Sequence, residues 1–270
     1  MKKGFIFSFI VLGVTSIIAQ LVIIRELMIS FYGNEFFIGW IIFSWLLWTG
    51  IGSLVLDKLF KKIKNTFSIF ISCHILVALF LPLEIYLTRI SKTIIGGAAG
   101  EIPNLLPSLL YSFIILAPLC LVLGFQFVIA NKTWGLFFKK DKLNNLISKS
   151  YLYETLGFII GGLIFSYFLI SLNEFGVFSM LAFLNLITAG FVLFLIKNKI
   201  TILKIIAIVL AIIFIEVFVF TKNINIETTK LRFPNQELIE SRNSIYGNIA
   251  VTKIGKQYNF YESGLLLGSN

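Results

Sequence analysis

Residues 4–28 read GFIFSFIVLGVTSIIAQLVIIRELM, and this stretch decides the class of fold. It carries no charge before Arg25, and about 20 consecutive apolar residues suffice to cross the hydrocarbon core of a bilayer as a helix. The run is also longer than the ~7–15-residue apolar part of a secretory signal, and no clear cleavage site follows it. The stretch therefore predicts a retained membrane-spanning helix that ends in the charged pair Arg25-Glu26.

Further stretches of the same kind follow along the chain of 270 residues, of which 58% are hydrophobic and only 13% charged. A soluble domain is about 25% charged, so this composition excludes an ordinary soluble globule. The sequence predicts an all-α polytopic membrane helix bundle of about seven spans, with a short C-terminal β-hairpin fragment. The predicted spans are Gly4–Met28, Phe36–Leu56, Thr66–Ile90, Ser108–Ala130, Ser150–Leu172, Val177–Ile196 and Thr201–Phe220.

Basic residues alternate strongly between the two sides of this predicted bundle. If the N-terminus is inside, the outside loops between spans carry only Arg89 and Lys92, and the inside segments carry all the other basic residues before residue 221 except Arg25. Because cytoplasmic loops are enriched in Lys and Arg, we expect a multi-pass protein of the cell membrane with a cytoplasmic N-terminus. The net charge of +10 thus indicates basic loops beside a lipid bilayer and no nucleic-acid partner. Seven spans place the tail outside, and six spans with one re-entrant run would place it inside.

The last 50 residues differ in character and define a second unit. We predict a transmembrane domain over residues 1–220 and the truncated start of a further domain over 221–270. Short strands are predicted at Glu237–Ser241, Asn248–Ile254 and Gln257–Glu262, followed by an apolar run at Gly264–Gly268. Because three strands bury little by themselves, we expect the chain to stop in the middle of a domain.

Few residues in this sequence could support metal or nucleophilic chemistry. The chain has two cysteines and one histidine, all within apolar runs. That set is too small for a His/Cys metal site or a catalytic triad. We therefore predict no catalytic, cofactor-binding or metal-binding residue in this chain, and we expect His74, Gln126 and Asn185 to pack within the bundle.

A first group of polar residues lies at the end of the first predicted span. Because Arg25 is about 32 Å from Gly4 along a helix, its side chain could reach the interface as an anchor. Alternatively, these residues form a polar membrane site, since charges within spans mark functional sites. Glu84 and Arg89 could join them. The candidate residues are Gln20, Arg25, Glu26, Asn34 and Glu35.

A second group opens the fifth predicted span. Gly157 and Gly161 form a small-xxx-small pattern that lets two helices approach closely, with Gly162 beside it. Glu154 is expected in the first turn, where the helix dipole favours an anion. The alternative is that Glu154 pairs with a buried cation, such as a loop lysine. The residues therefore predict helix packing, with Glu154 as a further candidate for a polar membrane site.

Three segments together resemble a known family. The runs 16–35 and Tyr151–Gly162 are similar to the membrane region of bacterial spermidine synthase-like proteins, of the polyamine aminopropyltransferase family. The tail resembles the start of the family's soluble domain through Gln236–Arg242, Ser244-x-Tyr246-Gly247 and Phe260-Tyr261-Glu262-x-Gly264. The resemblance covers essentially the whole chain.

The resemblance implies a Rossmann-like domain that follows the hairpin, takes decarboxylated S-adenosylmethionine as co-substrate and transfers an aminopropyl group. That domain is absent from these 270 residues, so a separately encoded synthase-like domain is an expected partner. Gly247 and Leu267 stand where soluble members often have Gln. Two other functions stay open: a permease for small molecules such as polyamines, and a structural membrane anchor. The sequence leaves the substrate and the oligomeric state open.

Overall fold

The structure is a computed structural model that describes residues 2–32, 35–56, 58, 65–96, 99–101, 103–137, 143–195, 201–244 and 247–270. Within these ranges, seven helices are long and apolar enough to cross a membrane. Each overlaps one of the seven predicted spans, so the predicted helices are confirmed. The crossing of a bilayer stays a prediction.

The helices differ from the predicted spans mainly at their ends. α5 and α6 extend beyond the predicted runs because hydropathy detects the apolar part of a helix, and polar residues continue the same helix outside it. α2 and α6 each end in a π-helical turn, at Gly52–Leu56 and Phe165–Leu169. The helices are α1 Lys2–Phe31, α2 Glu35–Ile51, α3 Thr66–Arg89, α4 Ser91–Ile95, α5 Leu105–Phe137, α6 Leu143–Ile164, α7 Glu174–Leu195, α8 Thr201–Val219 and α9 Thr221–Lys230.

α1 lies at the centre of the bundle and contacts α3, α5, α6 and α7. Two thirds of the residues in its most apolar 18-residue stretch are buried inside the protein. The corresponding share for α8 is 11%, so α8 lies at the periphery. In a bundle without a hydrophobic driving force between helices, close van der Waals packing supplies much of the association energy. α1 is therefore the helix against which the other elements are positioned.

A very close helix contact joins α1 to α6 through glycines. A Cβ on Gly157 would lie 2.2 Å from the carbonyl oxygen of Ile10, and one on Gly13 would lie 2.1 Å from that of Glu154. Both are far inside van der Waals contact, so only glycine permits this approach. The backbones of the two helices consequently pack directly against each other.

The C-terminal residues form one antiparallel sheet with strand order β1-β2-β3-β4. The strands are β1 Glu237–Asn243, β2 Asn248–Ile254, β3 Gln257–Glu262 and β4 Leu265–Ser269. The prediction of three strands is therefore wrong, because the sheet has a fourth. The apolar run 264–268 supplies β4, because Ser263 and Gly264, both at positive φ, close a tight turn after β3.

The sheet packs on the end of the bundle where α1 ends. A Cβ on Gly264 would lie 2.2 Å from the carbonyl oxygen of Ile29 and 2.6 Å from the Tyr32 ring. Phe233 and Tyr261 stack at 4.9 Å between ring centroids and form, with Ala250, a small buried core of the sheet. The sheet thus lies opposite the end of the bundle at which α1 begins.

Candidate functional site

A buried arginine forms the centre of the candidate site. Arg89, the last residue of α3, is 1% exposed and pairs through Nε and Nη2 with both carboxylate oxygens of Glu26, at 3.2 and 3.0 Å. Glu26 lies on α1 and is completely buried. Such a two-bond pairing fixes the geometry of both side chains as well as their charge.

The same arginine also contacts α7 and α9. Its Nη2 donates to Glu174 Oε2 and to Asn225 Oδ1, both at 2.9 Å, and its Nη1 donates to Thr228 Oγ1 at 2.6 Å. Glu174 is the first residue of α7, where the positive end of the helix dipole stabilises a carboxylate. Arg89 therefore joins four helices at one point.

Two further arginines complete this ionic cluster. Arg25 donates to Glu174 Oε1 at 3.1 Å, and Arg232, which follows α9, pairs with Glu26. Asn243 of β1 also donates to Glu174 Oε1, at 2.6 Å. The cluster, defined as Arg25, Glu26, Arg89, Glu174 and Arg232, carries three cations and two carboxylates. It consequently has a net charge of +1 in a buried environment.

Local backbone geometry explains why Arg25 points towards α7. The last carbonyl groups of a helix have no partner within the helix and need another donor. After the π turn that ends α6, the carbonyl of Ile170 accepts from Arg25 Nη1 at 2.7 Å. The corner between α6 and α7 thus supplies both a backbone acceptor and the Glu174 carboxylate to the same guanidinium.

A polar cavity of about 620 Å³ opens between this cluster and the sheet. Its floor includes Arg89, Glu174 and Arg232, one wall is α9 with Lys222 and Asn225, and the other wall is β1. The volume is that of a small-molecule site. Charged and amide side chains line it, so a polar ligand fits it better than an apolar one.

A lysine and a tyrosine lie beside the cluster, between the ends of α1 and α3. Lys92 is 4% exposed, and its Nζ contacts the hydroxyl of Tyr32 and lies 4.2 Å from the ring centroid. Burial and the nearby Arg232 lower the pKa of Lys92 to about 8. Burial raises the pKa of Tyr32 to about 12. The Tyr32 hydroxyl also accepts from the amide of Gly100 at 2.8 Å, so this pair connects the segment between α4 and α5 to the end of α1.

The structure brings together only some residues of the first predicted group. Arg25 and Glu26 lie in the ionic cluster, and Arg89 joins them as proposed for it. Glu35 is exposed at the start of α2, and Gln20 is half-buried on α1 without a hydrogen bond to the cluster. Asn34 lies outside the described residues. The anchor interpretation of Arg25 therefore gives way to an internal pair with Glu174.

Glu84 does not join the cluster. It is 2% exposed on α3, and its carboxyl has no hydrogen-bond partner within the part of the chain that the structure describes. It faces a narrow groove beside Pro118 and Leu119 of α5. Its position on α3, more than one helical turn before Arg89, separates it from the ionic cluster.

The second predicted group lies elsewhere. Glu154 is in the interior of α6, because the helix begins at Leu143, so the predicted first-turn position is wrong. It is half-buried beside Gly13, about 18 Å from Arg25 along α1. Gly157 and Gly161 face α1, whereas a Cβ on Gly162 would meet nothing within 4 Å. Glu154 is thus separate from the polar site, and Gly162 is separate from the helix seam.

Three polar residues inside the bundle form a small hydrogen-bonded group, as predicted. His74 Nδ1 lies 2.9 Å from Asn185 Oδ1 and 3.0 Å from Gln126 Nε2. Asn185 also donates to Thr15 Oγ1 at 2.9 Å. The group joins α1, α3, α5 and α7 and has the character of interhelical packing.

The sequence reasoning missed Glu174, Asn225, Arg232 and Asn243. A partial signal for Glu174 existed, because it is the only carboxylate between the fifth and sixth predicted spans, at the same predicted end as Arg25. Arg232 and Asn243 gave no such signal, since polar residues are ordinary in a tail. Their roles depend on how the tail folds back onto the bundle.

The chain matches no family model, no curated protein and no solved structure. The residues of the site therefore carry the functional argument on their own.

Proposed function

We propose that this chain is a membrane module, related to the membrane part of spermidine synthase-like proteins, whose helix bundle fixes the C-terminal sheet at one membrane surface as a base for a further domain. The observation that carries the proposal is the ionic cluster. Arg232, at the entry to the sheet, pairs with Glu26 of α1, and Asn243 of β1 pairs with Glu174 of α7. Both contacts join the tail to the bundle.

The burial of these contacts supports a fixed position for the sheet. Glu26, Glu174 and Arg232 are each at most 3% exposed. Removing one partner from a buried ion pair leaves an uncompensated buried charge and costs about 3–5 kcal/mol, so the folded protein requires both members of each pair to be in place. The close approach of Gly264 to Ile29 adds a second, independent contact between sheet and bundle.

The exposed edge of the sheet supports its use as a base. β4 is one of the two edge strands, and its residues are all exposed, including Leu265, Leu266 and Leu267. An edge strand presents unpaired backbone groups to which another strand or chain can add. The synthase-like domain that the resemblance implies would be held at this edge.

The predicted position of the basic loops favours the anchoring role over aminopropyl transfer. The sheet lies at the end of the bundle opposite the predicted basic loops. The positive-inside rule assigns that end to the outer face. Aminopropyl transfer with a cytosolic co-substrate requires the sheet on the cytoplasmic face. The anchoring role requires neither face in particular, so the geometry supports it best.

The structure gives less support to a polyamine permease. His74, Gln126 and Asn185 hydrogen-bond to one another, and the grooves between α7 and α8 are lined mainly by apolar side chains. The polar cavity at the end of the bundle contains more cations than carboxylates. A polycation would be repelled there.

The anchoring role is tested by measuring how rigidly the sheet is held. Spin labels are attached at Glu35→Cys on α2 and Lys256→Cys in the turn after β2, both exposed sites, while Cys73 and Cys120 are buried. We expect one narrow distance distribution by pulsed electron paramagnetic resonance in lipid nanodiscs. A broad distribution for the otherwise unchanged protein would contradict the proposal.

A matched pair of substitutions connects the result to the ionic cluster. Arg232→Gln should broaden the distribution, because it removes the buried partner of Glu26. Arg242→Gln should leave it unchanged, because Arg242 is an exposed arginine that pairs only with the exposed Glu240 among the described residues. Equal effects of the two substitutions would show that the cluster does not hold the sheet.

A further inference from the structure

The cavity between the ionic cluster and the sheet has an excess of positive charge. Its lining includes the cations Arg89, Lys222, Arg232 and Arg242 and the carboxylates Glu174 and Glu240. Glu174 is already paired with Arg25, Arg89 and Asn243, and Glu240 with Arg242. The cavity lining therefore has four cations against two carboxylates, an excess of two positive charges.

One buried donor in the cavity lining has no acceptor. Arg232 lines the cavity and is 3% exposed, and its Nη2 pairs with Glu26, whereas its Nε has no hydrogen-bond partner within the described residues. A buried donor without a partner costs about 1–3 kcal/mol. An acceptor oxygen that reached this Nε from the cavity would remove that cost.

Two exposed cations lie at the rim of the same cavity. Lys222 is the second residue of α9, directly after the last membrane-length helix of the described residues, and Arg242 lies on β1. Both residues line the cavity. Together with Arg232 they supply three cationic donors, of the residue types that bind phosphate groups.

Neutral polar residues also line the cavity beside the cations. Ser171, Asn225 and Asn248 lie around the cations and supply hydroxyl and amide groups. Such groups suit the hydroxyls of a small polyol attached to a phosphate. The cavity volume of about 620 Å³ accommodates a group of this size.

We propose that this cavity binds a phosphate-bearing ligand of the glycerol phosphate type, either as a soluble molecule or as the headgroup of an anionic phospholipid. Arg232, Lys222 and Arg242 bind the phosphate oxygens, and the amide and hydroxyl groups bind the polyol. The position of Lys222, just beyond the end of α8, places the cavity mouth where lipid headgroups would lie if α8 spans the bilayer. This inference goes beyond anchoring and rests on it, because β1 forms one wall of the cavity.

Binding is tested on the full chain in phosphatidylcholine nanodiscs by thermal-shift titration with glycerol 3-phosphate, with inorganic phosphate and with spermidine. We expect glycerol 3-phosphate to stabilise the protein more than inorganic phosphate, and spermidine to have no stabilising effect. The lipid source is tested in nanodiscs that also contain phosphatidylglycerol. Stabilisation by phosphatidylglycerol with no effect of soluble glycerol 3-phosphate assigns the site to a headgroup, and the reverse result assigns it to a soluble ligand.

Two double variants with the same change in net charge provide the control. Lys222→Gln with Arg242→Gln removes the two cations at the cavity rim, and we expect at least about tenfold weaker binding, since charge-assisted hydrogen bonds are lost. Lys230→Gln with Lys256→Gln removes two exposed cations that do not line the cavity, and binding should stay unchanged.

Several results would overturn the proposal. These are the absence of stabilisation by any phosphate-bearing probe, equal weakening in both double variants, and stronger stabilisation by spermidine than by glycerol 3-phosphate. The spin-label distances remain an independent measurement on the same proteins. A rigid sheet without phosphate binding would overturn this inference alone, and a mobile sheet would overturn the anchoring role together with the wall that β1 contributes to this cavity.

Discussion

Arg89 at the end of α3 and Glu26 on α1 are 63 residues apart in sequence and form a buried pair with two hydrogen bonds of 3.0 and 3.2 Å. The pair lies where four helices and the entry to the sheet meet. Because both side chains are at most 1% exposed, neither charge can be solvated by water when its partner is removed. The pair therefore couples the stability of the bundle to the position of the sheet.

Replacing Arg89 by Met should destabilise the folded protein by about 3–5 kcal/mol, the usual cost of breaking a buried ion pair from one side. Thermal unfolding in detergent or nanodiscs measures the change. Arg242→Met is the matched control, because its pair with Glu240 is exposed and such pairs contribute about 0–1 kcal/mol. Similar unfolding of both variants would show that the pair contributes little.

The glycine seam between α1 and α6 predicts a sharp difference between neighbouring glycines. Gly157→Ala should destabilise the protein by about 1–3 kcal/mol, because the new Cβ would clash with the Ile10 carbonyl. Gly162→Ala should be neutral or slightly stabilising, since its Cβ meets nothing within 4 Å and alanine favours a helix. Unfolding temperatures that do not distinguish the two variants would contradict this seam.

The contact of the sheet with α1 predicts a similar difference between two turn glycines. Gly264 and Gly255 both have positive φ, so alanine strains the backbone at each. Only at Gly264 would a Cβ also clash with Ile29 and Tyr32. We expect Gly264→Ala to increase proteolysis of the tail much more than Gly255→Ala. Equal protease sensitivity would indicate that the turn does not contact the bundle.

The lowered pKa of Lys92 predicts that the free energy of unfolding rises with pH. Its folded-state pKa of about 8 lies below the ordinary 10.5, so the unfolded chain binds more protons between these values and stability rises as the pH rises through them. The full gain is at most about 3 kcal/mol. Tyr32 acts in the opposite direction only above about pH 10, because its pKa is raised.

The unfolding temperature between pH 7 and 10 measures this effect. Lys92→Met should flatten the rise, and Lys256→Met, at an exposed turn, should preserve it. A wild-type profile that is flat or falls over this range would contradict the buried position of Lys92.

The side of the membrane on which the sheet lies is a further prediction. A compartment-sensitive reporter fused after Asn270 should give an external signal if all seven membrane-length helices of the described residues span the bilayer, because seven is odd and the predicted basic loops favour a cytoplasmic N-terminus. A cytoplasmic signal would show that one helix does not span the bilayer. It would also restore aminopropyl transfer as a function of a domain held by this sheet.

Hydropathy predicted the helices well because a membrane span is a local property of about 20 consecutive residues. The same reasoning placed the start of α6 too late, at Ser150 instead of Leu143, since the first turns of that helix are polar. This error also gave Glu154 a first-turn position that it does not have. The fourth strand was missed because Leu265–Ser269 is apolar without a clear alternation, and its pairing with β3 is what makes it a strand.

The sequence by itself determined the class of fold, the number of membrane-length helices and the candidates Arg25, Glu26 and Arg89, because apolar runs and charges near their ends are readable one segment at a time. Only the tertiary structure decided which charges meet. Glu174 lies far in sequence from Arg232 and Asn243, and the folding of the tail onto the bundle joins them. Glu154 is separate from them because its position on α6 places it beside Gly13, near the other end of α1. Burial gives these pairings their energetic weight, and burial is a property of the assembled helices.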